Sequence, residues 1–385
     1  MKRRHFIIAT TLTLAAFAHA ANEPLPREEK NLSFRNELRD SLNRGTAWLL
    51  TQQNADGSFG KDTTHPALSA LPLIALLREP TGKFAVSDVV KKGAAYLRKF
   101  AQPDGGIYNT ESGLANYNTS VCLLALALAG DEKDIPILRA ARAYVIGQQA
   151  SGMAKPETDG GIGYGTVGSS PKRGHPDLDN TLIALESLRA TQSLASDKPD
   201  AKQLNWNAAI DFVSRCQNLP SHNKEKWASS DTDNKGGFVY YPGFSNAGEV
   251  DLAGGGKALR SYGSMSYAGL LSFIYADLKK DDERVVAAID WLKKHYTLEE
   301  NPGLEKQGYF YYLHLMTKGL TTAGITELDR GGKKVDWRHE LGLQLMKLQT
   351  PDGFWVNDVA RWKENNAVLT TTYGVMSLEI LYNQL

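Results

Sequence analysis

Arg44-Gly45-Thr46-Ala47-Trp48-Leu49, followed by Gln52-Gln53 and Asp56-Gly57-Ser58-Phe59-Gly60, is the passage from which the fold is read. A second copy reads Lys92-Gly93-Ala94-Ala95-Tyr96-Leu97, Gln102 and Asp104-Gly105-Gly106-Ile107-Tyr108, with the same offsets from Gly to aromatic and from Gly to Asp. A third runs Ala141-Arg142-Ala143-Tyr144, Gln148-Gln149 and, after an insertion, Asp159-Gly160-Gly161-Ile162-Gly163-Tyr164. The fourth carries Ala209-Ile210-Asp211-Phe212, Cys216-Gln217 and Gly236-Gly237-Phe238-Val239-Tyr240. The fifth is looser, with Ala288-Ile289-Asp290-Trp291-Leu292 and Gln307-Gly308-Tyr309-Phe310; the sixth ends on Pro351-Asp352-Gly353-Phe354-Trp355. Repetition at this spacing is the mark of a stacked or closed repeat architecture.

Each signature precedes a stretch that is apolar on all sides: 68–77, 117–129, 180–190, 264–276, 311–322 and 369–381. A one-sided helix lies at the surface and an all-round apolar helix is buried. Each repeat therefore predicts an outer amphipathic helix, a Gly-rich turn and an inner helix. In the turn, Asp-Gly and Gly-Gly supply positive-φ positions, and the aromatic that follows packs on the adjacent hairpin. An open solenoid requires polar caps. The last inner stretch instead ends on Leu381, Tyr382 and Leu385, so closure is expected: an all-α fold, a single (α/α)6 toroid spanning 40–385.

Arg44-Gly45-x-x-Trp48-Leu49-x-x-Gln52 with Asp56-Gly57-Ser58-Phe59 resembles the QW repeat of squalene–hopene and oxidosqualene cyclases, found also in protein prenyltransferase β subunits. The resemblance covers residues 40–385 and implies the toroid rather than one activity. In such a ring the inner-helix N-termini gather at one mouth, electropositive from helix partial charges. Residues expected there to bind a ligand are Tyr117, Asn180, Tyr262, Tyr309, Tyr311 and His314. A concave, aromatic cavity with few polar groups is a binding site for an apolar small molecule or lipid.

Asp177-Leu178-Asp179-Asn180-Thr181 enters the third inner helix and resembles the Asp-x-Asp-Asp-Thr motif of squalene–hopene cyclases. The resemblance implies Asp179 as the proton donor and Asp177 as its modulator, with Asn180 standing where the family has a last acid. Such chemistry needs a neutral carboxyl in a dry pocket and aromatic faces for the cation. The same residues also suit a helix N-cap, because Asp and Asn are preferred there. The enzymatic reading is an intramolecular, isomerase-type cyclisation. A non-catalytic binding or scaffold toroid and an exported carbohydrate-active lyase or hydrolase are the alternatives.

Other members of the wider fold fit less well. No Asp-x-Cys pair with a later His offers the prenyltransferase zinc site, and the Gly-Cys-Gly-Glu-Gln thioester of α-macroglobulins is absent, so neither a metal nor a cofactor is expected. Asp231-Thr232-Asp233-Asn234 reads as a solvated turn or a cation site. Cys122 and Cys216 sit in apolar helical patterns without ligand spacing and are expected to be buried free thiols.

The first twenty residues read as a signal peptide: Lys2, Arg3 and Arg4, an apolar stretch from Phe6 to Phe17, and Ala18-His19-Ala20 as cleavage site, with 21–39 a lead-in. The apolar stretch is too short to span a bilayer. Cleavage would turn the formal charge of +1 into about −2. The expected product is periplasmic or secreted, is not transmembrane, and implies no nucleic-acid partner.

Overall fold

The computed structural model describes residues 31–152, 155–165, 175–196, 202–252, 255–330 and 332–385. The expected signal peptide lies outside the described residues. Helices alternate between outer and inner positions. The pairs are α1 (Leu32–Thr51) with α2 (Ala67–Arg78), α3 (Asp88–Arg98) with α4 (Ala115–Ala129), and α5 (Ile135–Gly147) with α6 (Leu178–Ala190). After the short α7 (Ser193–Ser196) come α8 (Trp206–Arg215) with α9 (Gly263–Tyr275), α10 (Glu283–Lys294) with α11 (Tyr309–Ala323), and α12 (Trp337–Leu348) with α13 (Ala367–Gln384). The first helix thus starts at Leu32, inside the segment read as a lead-in.

Burial separates the two layers as their composition requires. On outer α3 only Val90, Gly93, Ala94, Tyr96 and Leu97 are buried, one stripe of an otherwise charged helix. On inner α9 every residue from Gly263 to Tyr275 is buried. Each inner helix touches the next around the circuit α2, α4, α6, α9, α11, α13, and α13 packs against both α2 and α1. The structure is therefore an all-α ring that closes on itself. Cys122 on α4, in the second unit, and Cys216 at the C-terminal end of α8, in the fourth, are buried and unbridged.

The Gly-rich turns are built to one plan. The backbone N–H of the loop residue after the glycines donates to a hydroxyl on the following inner helix: Phe59 to Ser69, Phe238 to Ser266 and Trp355 to Thr371 at 3.0 Å, Ile107 to Thr119 at 2.9 Å, and Ile162 to Thr181 at 3.0 Å. A glutamine at the end of the outer helix ties the turn to the neighbouring unit. Gln53 donates to the Val89 carbonyl at 2.9 Å, Gln149 to Asn205 at 2.9 Å, and Gln217 to Arg284 at 2.9 Å. In the last unit Gln349 donates to the Ser41 carbonyl on α1 at 2.9 Å, so the same bond that links neighbours also seals the ring. The first turn glycine is held at positive φ against the next outer helix; a Cβ on Gly160 would lie 1.9 Å from the Ala208 carbonyl oxygen. In the second unit Gln102 bonds within its own turn, to the Phe100 and Tyr108 carbonyls, and the fifth unit departs further: a residue of the last loop, Glu364, caps its inner helix.

Among the described residues three short antiparallel ribbons decorate the loops: β1 (Ile162–Gly163) with β2 (Pro176–Asp177), β3 (Glu249–Asp251) with β4 (Lys257–Leu259), and β5 (Leu328–Arg330) with β6 (Lys333–Val335). In the first, Ile162 pairs with Asp177, which fixes where the acidic motif enters α6.

Candidate functional site

Two residues before the loop-clamping hydroxyl, four of the five clamped inner helices turn a side chain into the cavity; α2 has buried Ala67 there and presents Leu68 instead. That position holds Tyr117 on α4, Asp179 on α6, Ser264 on α9 and Leu369 on α13, and all four line one cavity of ≈ 420 Å³ at the inner-helix N-termini. Tyr164, Tyr240, Tyr262, Tyr311 and Tyr373 complete an aromatic wall. Burial raises the phenol pKa of every one of these tyrosines, so they present ring faces and neutral hydroxyls. Tyr117 shares a hydroxyl hydrogen bond with Tyr373, and Tyr164 shares one with Tyr240.

The acidic motif divides its labour. Asp177 is the N-cap of α6: one carboxylate oxygen accepts the Asn180 backbone N–H at 2.8 Å and the other accepts Asn180 Nδ2 at 2.8 Å. Thr181 is the loop-clamping hydroxyl of its unit and donates to the Asp177 carbonyl at 2.7 Å. Three of the four polar residues are thus occupied by the fold. Asp179 is not: it is half-buried, and the surface it exposes belongs to the cavity. Its Oδ1 accepts the hydroxyl of Tyr311 from across the ring.

Both carboxyls are held above the ordinary aspartate range. Burial raises Asp179, against the opposing effect of the Tyr311 hydroxyl. Burial first, and then the charge of Asp179, push Asp177 up to about 8, against the Asn180 and Tyr240 donors. Two such neighbours cannot both ionise easily, so the pair keeps one proton at neutral pH. Both Asp177 oxygens accept from Asn180, whereas Asp179 accepts the Tyr311 hydroxyl at Oδ1 and faces the cavity.

The ring differs in kind beyond the cavity and at its mouth. Toward the inner-helix C-termini, Glu186 on α6 faces Arg78 at 3.6 Å and Lys318 at 2.5 Å, a buried charged cluster across the ring. At the mouth lies the segment 361–364. Trp362 and Lys363 adopt φ 54° and 64°, left-handed conformations that cost a non-glycine residue about 1–2 kcal/mol each. Such strain persists only where the surroundings impose it. Arg361 donates to Gln307 at 2.9 Å and Asn246 at 3.0 Å, Lys363 pairs with Asp62 at 2.5 Å, and buried Glu364 accepts the Tyr311 N–H at 2.8 Å and Asn357 Nδ2 at 2.6 Å.

Of the residues expected from sequence to meet a ligand, Tyr117, Tyr262, Tyr311 and Asp179 face the cavity. Three do not. Asn180 is buried within the wall, its amide spent on Asp177. Tyr309 points to the outer layer, donating to the Leu298 carbonyl and accepting from Gln344 at 3.0 Å. His314 lies one turn below Tyr311, stacked on Tyr373 at 5.7 Å, and burial lowers its pKa well below the usual value. Asn180 is one residue from Asp179 and Tyr309 two from Tyr311, rotations of about 100° and 200° along a helix, while His314 shares the face of Tyr311 one turn deeper. Tyr164 and Tyr240 were missed, although both stand two residues past the clamped loop residue. Tyr373, Trp362 and Glu364 were also missed; the last two sit in a loop without repeat signal. Asp231 accepts the N–H groups of Asp233 and Asn234 at 3.0 and 3.1 Å, a turn rather than an acid site. Among the described residues no cluster of His, Cys, Asp and Glu could hold a metal ion, and no helix is long and apolar enough to cross a membrane.

No protein-family model and no curated protein matches this sequence. Among solved structures, it is similar to the type II terpene cyclase MstE from Scytonema: 14% identity over 91% of this chain and 100% of that one, TM-score 0.58. An Asp→Asn variant of MstE in complex with its substrate geranylgeranyl dihydroxybenzoate gives 14% identity over 92% of this chain and 100% of that one, TM-score 0.56. A glycosidase in complex with glucose matches at 12% identity over 92% of this chain and 99% of that one, TM-score 0.50. At these identities the likeness is one of fold: the toroid of terpene cyclases, shared with glycosidases.

Proposed function

We infer that the ring binds an elongated apolar, isoprenoid-like molecule in its cavity and acts on it as an acid-initiated cyclase, with Asp179 the proton donor and Asp177 its modulator. The observation that carries this reading is the single carboxyl of the acidic motif left free by the fold, desolvated and facing a wall of neutral tyrosines. In the proposed reaction the Asp179 O–H bond breaks and a C–H bond forms at an alkene carbon of the ligand. The carbocation created is then attacked by the next alkene, and loss of one proton from the cyclised cation balances the reaction as an isomerisation. Tyrosine faces favour the cation, and the Tyr311 hydroxyl favours the carboxylate that remains. Asp177, held by Asn180, keeps a second charge beside Asp179 costly.

The glycosidase likeness gives the hydrolase alternative a specific form, since two carboxyls, Asp179 and Glu364, line the cavity. Glycoside hydrolysis asks both to act on the bond. Glu364 is engaged by the Phe310 and Tyr311 N–H groups and Asn357, which favours the cyclase. Export remains part of the proposal: intact mass of material recovered outside the cytoplasm should show a chain starting at Ala21.

The decisive assay incubates wild type and Asp179→Asn with polyprenyl substrates and analyses the extract for cyclised product. The wild type should form product, and the mutant should fall by about 10²-fold or more at an unchanged melting temperature, the scale of general-acid catalysis. Absence of binding and conversion for both proteins, or release of sugar from glycosides by the wild type, would remove the cyclase reading.

A further inference from the structure

The cavity has packed sides and a mouth bounded by the strained loop 361–364. About two turns further along α6 than Asp179, beyond the residues that line the cavity, an apolar chain would have to part Glu186 from Lys318 and Arg78, leaving buried charges uncompensated. The sides are inner helices buried on nearly every face. The mouth is crossed by Trp362, which lines the cavity with one part of its surface while 44% of it remains exposed. Its indole rests on Gly308, where even a Cβ would come within 3.0 Å of the ring, and the Arg361 guanidinium lies 4.6 Å from its centroid on the same segment.

Volume then sets a scale. A dry cavity of about 150 Å³ accepts benzene, so the same carbon density puts about 17 carbon atoms into ≈ 420 Å³.

Resting on the reading of an isoprenoid-like ligand, we propose that Trp362 is the specificity-determining residue of this ring and limits it to chains of fifteen to twenty carbons, excluding the thirty-carbon class. The latches of Arg361 on Gln307 and Asn246, and of Lys363 on Asp62, hold the indole in place. Without the indole, the cavity opens to solvent along the axis, and a longer chain extends through the mouth.

The full-length protein is incubated with equal concentrations of geraniol, farnesol, geranylgeraniol and hexaprenol, recovered by gel filtration, and the retained lipid is quantified by mass spectrometry. Wild type should retain the fifteen- and twenty-carbon alcohols and at least about tenfold less hexaprenol, a discrimination built on a steric clash. Trp362→Gly, which suits the left-handed backbone, should bring hexaprenol to within about threefold of geranylgeraniol, and Trp362→Phe should keep the wild-type order. Equal retention of hexaprenol and geranylgeraniol by wild type, or an unchanged order in Trp362→Gly, overturns the length limit while leaving the ligand class standing. Retention of none of the four by any variant overturns the ligand class itself, and the length limit with it.

Discussion

Asp177 and Asp179 are the same side chain two positions apart, and the helix start gives them different work. Asp177 accepts two hydrogen bonds from Asn180, whereas Asp179 meets only the Tyr311 hydroxyl and the cavity. Asp177→Ala should therefore cost about 1–2 kcal/mol of stability, the price of a lost N-cap, measured by urea unfolding. Asp179→Asn should leave stability nearly unchanged. The pair also predicts a pH effect. Its folded-state pKa is raised toward about 8, so the stability it contributes is complete below the ordinary aspartate pKa and is lost as pH rises through about 8. The melting temperature of the wild type should fall across that window, and Asp177→Asn, which carries no charge to bury, should flatten the fall. A wild-type curve parallel to that of the mutant would mean that the pair holds no proton.

At the scale of the element, the unit of construction is the clamped turn rather than the helix. Gly160 and Gly243 both have positive φ, 87° and 90°, but only Gly160 abuts backbone, with nothing within 4 Å of a Cβ at Gly243. Gly243→Ala should cost only the left-handed strain of about 1–2 kcal/mol. Gly160→Ala must in addition displace α8 and should be clearly more destabilising in the same denaturation assay. Ser266→Ala removes the acceptor of the buried Phe238 N–H and should cost about 1–3 kcal/mol, the penalty of an unsatisfied buried donor. The turn glycines and the glutamines of this design are visible in the repeats. The hydroxyl clamp was not read from them, because Ser and Thr on an apolar helix carry no signal until the partner N–H is known.

The whole molecule is a circuit, and its seam is made of the same parts as its joints. Ser41 Oγ donates to Gln349 Oε1 at 2.7 Å, and a Cβ on Gly353 would lie 2.8 Å from the Arg44 carbonyl oxygen. Deleting 367–385 removes α13, which packs on α11, α1 and α2 together. That truncation should abolish cooperative unfolding followed by circular dichroism. A truncated chain that melts like the parent with one hairpin fewer would mean that the units are stabilised only by their neighbours in sequence.

The sequence by itself determined the six helical hairpins, their inner and outer layers and the ring they form, because these follow from periodicity and turn chemistry repeated along the chain. It also brought Asp179 and three tyrosines, Tyr117, Tyr262 and Tyr311, to notice. Only the tertiary structure decided which residues look into the cavity. Asn180 and Tyr309 lie within two residues of Asp179 and Tyr311 on the same helices yet face the wall and the outer layer. The Tyr311 hydroxyl reaches Asp179 across 132 positions of chain, and Glu364 and Trp362 arrive from the last loop. Local patterns encode burial and hydrogen-bonding capacity; which side chains converge on an axis depends on closing the ring, a relation between segments that no local pattern contains.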